Sequence, residues 1–493
     1  MPIVESPTIL ICVLLYLAAC LCIGVWAMKR TRTISDFLVA GKALGPTVVI
    51  IAAMSSLMSG FGFVGGPGLV YDSGSSSLWM TFIAIFGFAF SWVIVGKRMR
   101  LMAEVREVLT LPDVVAARYG GRAPRFMMAV AIFLGVVGYL GTQVLAIGMV
   151  LVVVLNVQLP VALLIGLGVL AFYSVAGGIF AGVYTDLFQG LLMMVAALAV
   201  FYYALTVGGG MSEISRTLWQ ADPEFIGPWG ARGPLASLSW LLLFGIGGVG
   251  QPHVITKFLM LRNIRDLRWG ALFTGCSYAI LSLLWMSVGL SMRALVESGR
   301  QQPLAEADLA APVFLLTYTP DLLAGMVFAG LLAAIMSTSD SFLNIGAAAV
   351  VRDIPTALTG HPIRRELLWT RVMTAVLLAS AALFALYMEN LIALMGTFGW
   401  GTFAAAIVPS VAIGLNWKRA TGLACTSSIG VSIVLNFVLE LSARHGFYSL
   451  PDGFSVGCFS LLISLVVFIV VSLLSSKNAK DKIAPDIEAA MEV

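Results

Sequence analysis

Phe61-Gly-Phe-Val-Gly-Gly-Pro-Gly68 and its echo, Phe244-Gly-Ile-Gly-Gly-Val-Gly-Gln-Pro252, interrupt two apolar stretches that are each long enough to cross a membrane. Both run Phe-Gly, then a Gly-Gly pair, then proline. In lipid a helix must satisfy its own backbone polar groups, so unwound chain at that depth survives only where protein or a water-filled cavity covers it. A matched pair of broken helices, one in each half of a chain, is the sequence pointer to a binding site midway through the membrane.

Working outward from the breaks, composition agrees. Of the 493 residues 60% are hydrophobic and 11% charged, against roughly 25% charged in a soluble protein. No stretch is polar enough for a separate soluble domain. The apolar segment near the N-terminus, with Glu5 ahead of it and no small-residue cleavage site, reads as a first span rather than a leader. The six cysteines lie in apolar runs without metal spacing, and the three histidines are scattered. No nucleotide-binding loop, nucleophile elbow or metal array is visible, so enzyme chemistry has nothing to stand on. Nothing implies a nucleic-acid partner or an obligate protein partner; the bilayer is the expected surrounding.

At about 20 apolar residues per span, the chain divides into thirteen segments: 8–27, 44–71, 76–96, 126–154, 158–177, 186–207, 236–257, 269–292, 312–350, 370–388, 391–415, 420–440 and 455–475. Threaded with the N-terminus outside, this leaves only Arg216, Arg232, Arg293, Arg300 and Arg444 of the 29 Lys and Arg on the outer side. The remainder, including the Lys257–Arg268 run, face inward, as the positive-inside rule requires. The expected architecture is all-α and membrane-integral. An extra first helix (8–27) precedes a first repeat (44–207) and a second, inverted repeat (236–415). Two further helices (420–475) and a cytoplasmic tail (476–493) follow. The broken helices, spans 2 and 7, then open the two five-span repeats.

The densest polar cluster is Ala333-Ala-Ile-Met-Ser-Thr-Ser-Asp-Ser341, in span 9. Positions 334, 337, 338 and 341 share one helix face, with 340 beside it. A lone hydroxyl in a membrane helix usually bonds its own carbonyl four residues back; four hydroxyls and a carboxylate in five residues form a different object. Placing an aspartate mid-membrane costs about 2.5–3.5 kcal/mol on insertion scales, so such residues face cavities and work there. Hydroxyl and carboxylate oxygens suit a hard cation, and carbonyls freed by an unwound partner would complete its shell. Ser55-Ser-Leu-Met-Ser-Gly60, just ahead of the first break, is such a partner. Asp186, in Tyr184-Thr-Asp186, reads as a second acid at membrane depth and, compatibly with that, as an N-cap opening span 6. Tyr139, Gln143, Phe244, Phe398 and Trp400 are the large side chains available for a pocket, though packing alone would explain any one of them. Asp36 and Lys42 read as loop residues before span 2.

Four ordered motifs, Phe37-Leu-Val-Ala-Gly-Lys-Ala-Leu-Gly45, Leu109-Thr-Leu-Pro-Asp113, Gly250-Gln-Pro-His253 and Ala333-Ala-Ile-Met-Ser-Thr338, resemble those of the sodium:solute symporter family, nearest its proline and pantothenate permease branches. The likeness runs from about residue 35 to 420. It implies a principal sodium site of the backbone carbonyls of Ser55, Met58 and Ala334 with the hydroxyls of Ser337 and Thr338. It also implies a second sodium or proton site at Asp186, Ser337, Asp340 and Ser341, Asp340 standing where the two-sodium members carry serine. The solute would lie against Ser59, Gly60, Tyr139, Gln143, Phe244, Gly248 and Pro252. Two departures argue against proline itself. Leu57 stands where proline-type permeases have an aspartate, and Phe244 and Gly248 stand where they have Trp and Tyr, with Gly248 expected to enlarge the pocket or open its gate.

The expected function is therefore sodium-driven uptake of a small polar organic solute such as an amino acid, pantothenate or a monocarboxylate. A proton-coupled carrier of the same fold and a non-transporting solute sensor stay open as alternatives. Basic inner loops and the lack of long glycosylation-type loops fit a bacterial inner membrane.

Overall fold

Proline starts many of these helices, where its missing N–H costs nothing: it stands in the first turn of Pro7–Met28, Pro46–Ser55, Leu159–Val207, Gly233–Gly247 and Pro252–Ile255. The computed structural model describes residues 6–386, 392–448, 450–451, 453–476 and 483–492. These are helical throughout, apart from turns and one isolated β-bridge between Leu44 and Leu261. Eleven helices among them are long and apolar enough to cross a membrane.

Both glycine-rich stretches interrupt their helices. Pro46–Ser55 stops after ten residues, and the chain resumes as a π turn, Phe61–Gly65, leading into Gly66–Ser73. Gly233–Gly247 ends in a 3-10 turn, Gly248–Gly250; Gln251 is extended, and a short helix restarts at Pro252.

Helix Asp321–Ala348 is the buried axis. It packs on Leu159–Val207, Arg122–Leu155 and Pro7–Met28, and is buried without interruption from Val327 to Asn344. A membrane helix covered on all sides has no lipid face, which leaves its polar residues free to meet one another. Pro7–Met28, Glu366–Leu386, Gly422–Arg444 and Val456–Ser475 are the least buried of the membrane-length helices and expose apolar side chains such as Leu15, Val434 and Leu474.

Four features differ from the sequence reading. The loop expected between 177 and 186 does not exist: Leu159–Val207 is interrupted only at Gly178, whose φ of 54° turns the chain in a single residue. Helix Pro7–Met28 records the reversal. Thr31, just beyond its end, bonds the Gly177 carbonyl, Gly24 meets Tyr173 on one arm, and Tyr16 accepts from Gln189 on the other. Asp186 therefore lies two turns inside an arm and caps nothing. Asp36 is not a loop residue but completes a capping box with Thr33 that opens Ile34–Val39, while Lys42 donates to the Ala103 carbonyl at 3.0 Å. The span expected to stop at 96 continues through a π turn to Val105.

The tail is the fourth difference, since it carries a helix, Pro485–Met491, docked on the body. Arg106 holds Asp486 in a two-bonded pair (2.5 and 2.9 Å), Lys418 pairs with Glu488 and Glu492, and Arg98 bonds the Met491 carbonyl. Residues 387–391, where spans 370–388 and 391–415 meet, lie outside the described residues, as do Glu5 and residues 477–482 and 493 of the tail.

Candidate cation and solute site

The first break and the buried axis meet through oxygen atoms. Thr338 Oγ1 lies 2.9 Å from the Met58 carbonyl, 3.1 Å from Ala334 O and 3.4 Å from Ser56 O. Ser55 donates its hydroxyl to Ser337 Oγ at 3.0 Å, and Ser56 Oγ stands 3.4 Å from both Ser337 Oγ and Ser341 Oγ. The carbonyls are available because the helix has stopped at Ser55 and residues 56–58 no longer feed a ladder. All these side chains are buried. The result is a neutral cluster of hydroxyl and carbonyl oxygens, which fits a monovalent hard cation. Met58 and Ala334 bring their carbonyls to this cluster and Ser337 and Thr338 their hydroxyls, as expected, whereas Ser55 enters through its hydroxyl rather than the expected carbonyl. Ser56 is an addition through its carbonyl.

The second expected group comes together differently. Asp186 Oδ2 is 2.7 Å from the ammonium of Lys257, both side chains being 1% exposed. The same ammonium donates to Ala52 O at 2.9 Å and to Ser56 Oγ. Sequence reasoning put Lys257 in a basic inner loop; the structure buries it in the core. Asp340 shares the helix with Ser337 and Ser341, but its carboxylate turns toward the arm carrying Asp186. A Cβ on Gly182 would sit 1.7 Å from Asp340 Oδ2, so only glycine permits this approach. Both Asp340 oxygens, and Asp186 Oδ1, are buried without a hydrogen-bond partner among the described residues.

The expected solute residues fall into two groups. Ser59 Oγ and Tyr139 OH are 3.2 Å apart, and Gln143 Oε1 accepts from the Gly60 N–H at 2.8 Å. Gln143 thus satisfies an amide that the break orphans, while its own Nε2 donor is buried and unpartnered among the described residues. Phe244 stacks on Phe61 across the two breaks (centroids 5.7 Å) and packs on Trp400 at 4.6 Å. Trp400 donates to the Leu243 carbonyl. Phe398 points elsewhere, against Gly138 and Phe437. Pro252 restarts the half-helix and accepts from Thr256 at 2.6 Å.

Gly248 does not enlarge a pocket. A Cβ there would meet the Gly87 backbone at 3.2 Å, so helix Ser76–Ser91 fills the volume that a larger residue would need. A cavity of about 20 Å³, room for a single water, lies beyond the oxygen cluster between Ser341, Asn344, Thr256 and the Leu109–Pro112 turn.

Known proteins resemble this chain over most of its length. A proline transporter of Bacillus subtilis, OpuE, is 26% identical over 96% of this chain and 96% of its own. The sodium/pantothenate symporter of Escherichia coli is 26% identical over 92% of this chain and 94% of its own. Among solved structures, the substrate-bound outward-open state of a sodium-coupled sialic acid symporter superposes with a TM-score of 0.80 at 19% identity, covering 96% of this chain and 98% of that one, and so shares its fold. A model of the sodium:solute symporter family matches residues 37–430. With the match running through both breaks and the buried axis, the chain belongs to the sodium:solute symporter family.

Proposed function

We propose that this chain is a secondary active symporter in which sodium moving down its gradient drives import of a small polar organic solute by alternating access. The observation that carries the reading is the oxygen cluster of Thr338, Ser337 and Ser55 with the Met58, Ala334 and Ser56 carbonyls. A sodium ion held there ties the unwound first break to the buried axis. It favours one arrangement of the carrier to the extent that it binds that arrangement better than the other. The same movement presents Ser59, Tyr139, Gln143 and Phe244 to the solute. The unpartnered Gln143 amide donor suits a carboxylate-bearing solute, the class to which the substrates named for the proline and pantothenate relatives belong.

In this reading the described helices make thirteen passes, counting 46–73 as one and the two arms either side of Gly178 separately. The N-terminus is outside and the C-terminus cytoplasmic, and 44–207 and 236–415 are inverted repeats in a bacterial inner membrane. Proteoliposomes with an imposed sodium gradient, offered amino acids, monocarboxylates and pantothenate, test it. Sodium-stimulated uptake of a panel member, lost in Ser337→Ala/Thr338→Ala, is the expected result. Unchanged sodium dependence in a folded double variant would sink the site. One observation favours a second reading, coupling to protons at Asp340, whose oxygens have no partner among the described residues; uptake driven by a pH gradient in sodium-free medium decides for it.

A further inference from the structure

The second cation place implied by the family likeness contains an amine. Lys257 follows the second break by a few residues and reaches across to the first. Its ammonium meets the Ala52 carbonyl, the Ser56 hydroxyl and the Asp186 carboxylate. An ammonium has three hydrogens and no acceptor, and three oxygens from two elements use all three. The lysine is fully buried and Asp186 equally so. A charge in that position needs its partner, because an uncompensated buried ion is far more costly than a paired one.

We propose that Lys257 is a tethered cation that takes the place of a second sodium ion, so that this carrier binds and moves one sodium per transport cycle. Three observations support it. One of the two carboxylate oxygens that a second ion would use at Asp186, Oδ2, already accepts from the lysine. Ser56 Oγ, which the lysine also holds, lies 3.4 Å from Ser341 Oγ, so an ion between Ser341 and Asp186 would have the ammonium as its immediate neighbour, whereas the lysine makes no bond to Thr338 or to the Met58 and Ala334 carbonyls of the principal site. Like charges that close, in a buried site, repel strongly. Finally, the formal charges of Asp186, Asp340 and Lys257 sum to one negative charge, which a single sodium ion neutralises. Because the lysine sits on the segment leaving one break and two of its acceptors, Ala52 and Ser56, sit where the chain enters the other, it also does what a second ion would do structurally, joining the two broken helices.

This rests on the sodium-symport reading above, and the test separates the two. Binding of radioactive sodium to the purified full-length protein is counted by equilibrium dialysis, without any solute. The wild type is expected to bind one sodium per chain. Lys257→Gln, which frees Asp186, is expected to bind two, with a Hill coefficient rising from one toward two, and Lys257→Gln/Asp186→Asn is expected to return to one. Two sodium ions on the wild type, or one on a folded Lys257→Gln variant, would overturn the inference while leaving sodium coupling intact. No sodium binding at all would defeat the symport reading itself. Should Lys257→Gln not fold, the wild-type count still decides, with Lys257→Arg, expected to bind one, as its charge-preserving companion.

Discussion

The two breaks share a sequence pattern yet present opposite chemistry. The first, after Ser55, opens onto hydroxyls: its freed carbonyls at Ser56 and Met58 face Thr338, and its serines face Ser337 and Ser341. The second, at Gly248–Gln251, is closed by rings and bare backbone, with Phe244 between Phe61 and Trp400 and Gly248 pressed on Gly87. Unwinding frees polar groups in both places; what stands opposite decides their use. An oxygen-rich helix gives the first break a donor set suited to an ion, and aromatic packing makes the second a wall. Lys257 joins them, carried by the second and bonded to the first.

If the first break is the ionic one, the largest effect belongs to Thr338. Thr338→Ala should raise the sodium concentration for half-maximal uptake about 10- to 100-fold, the scale on which metal sites respond to lost supporting groups. Sodium titration of proteoliposome uptake measures it, and an unshifted curve would move the ion elsewhere. Gln143→Leu comes next, since it strands the buried Gly60 N–H at a cost of about 1–3 kcal/mol. Thermal unfolding in detergent should fall by several degrees, with Gln143→Glu recovering most of the loss because it restores the acceptor. An equal drop in both variants would show that the acceptor is not what matters.

Phe244→Leu tests the wall. It removes ring contacts worth about 0.5–1.5 kcal/mol each, so the solute KM should change by roughly tenfold or less while the sodium half-saturation stays put. A larger shift in sodium than in solute would erase the distinction between the breaks. The smallest effect is expected at the tail, which ties Arg106, between the breaks in sequence, to Lys418, beyond both. Hydrogen bonding to Arg106 holds the Asp486 carboxyl below the ordinary carboxylate range. A lowered folded-state value means the contact is present at neutral pH and lost only as pH falls through that value, below about 3.9. Potassium chloride, by screening, should therefore speed proteolysis of residues 485–491 by roughly two- to fivefold, while moderate acidification to pH 6 should leave it unchanged.

Much of this was legible in the chain. The breaks and the polar cluster of 333–341 follow from local pattern, because helix-breaking glycines and hydroxyls on one face declare themselves without tertiary context, while the atoms expected to meet there came from the family likeness. Lys257 did not, because it was counted as loop charge. Yet the signal was present: a half-helix restarting at Pro252 near mid-membrane advances only about 7.5 Å by residue 257, well short of the roughly 15 Å to the surface. The Gly178 reversal was hidden for the opposite reason. Sequence reasoning assigns a turn several residues, and nothing local announces that one glycine will suffice. The docked tail depended on partners at Arg106 and Lys418, 380 and 70 residues from the acids they hold, which no local pattern can supply.

That single-residue reversal has a mechanical corollary. With no slack between its two arms, and with the Phe37 ring filling the space where a Gly178 side chain would go, the hairpin has nothing to stretch. Whatever displaces Asp186 must carry Tyr173 and the neighbouring arm with it. Spin labels placed one on each arm should hold a constant separation through the whole transport cycle, a fixed ruler against which the travel of every other helix can be measured.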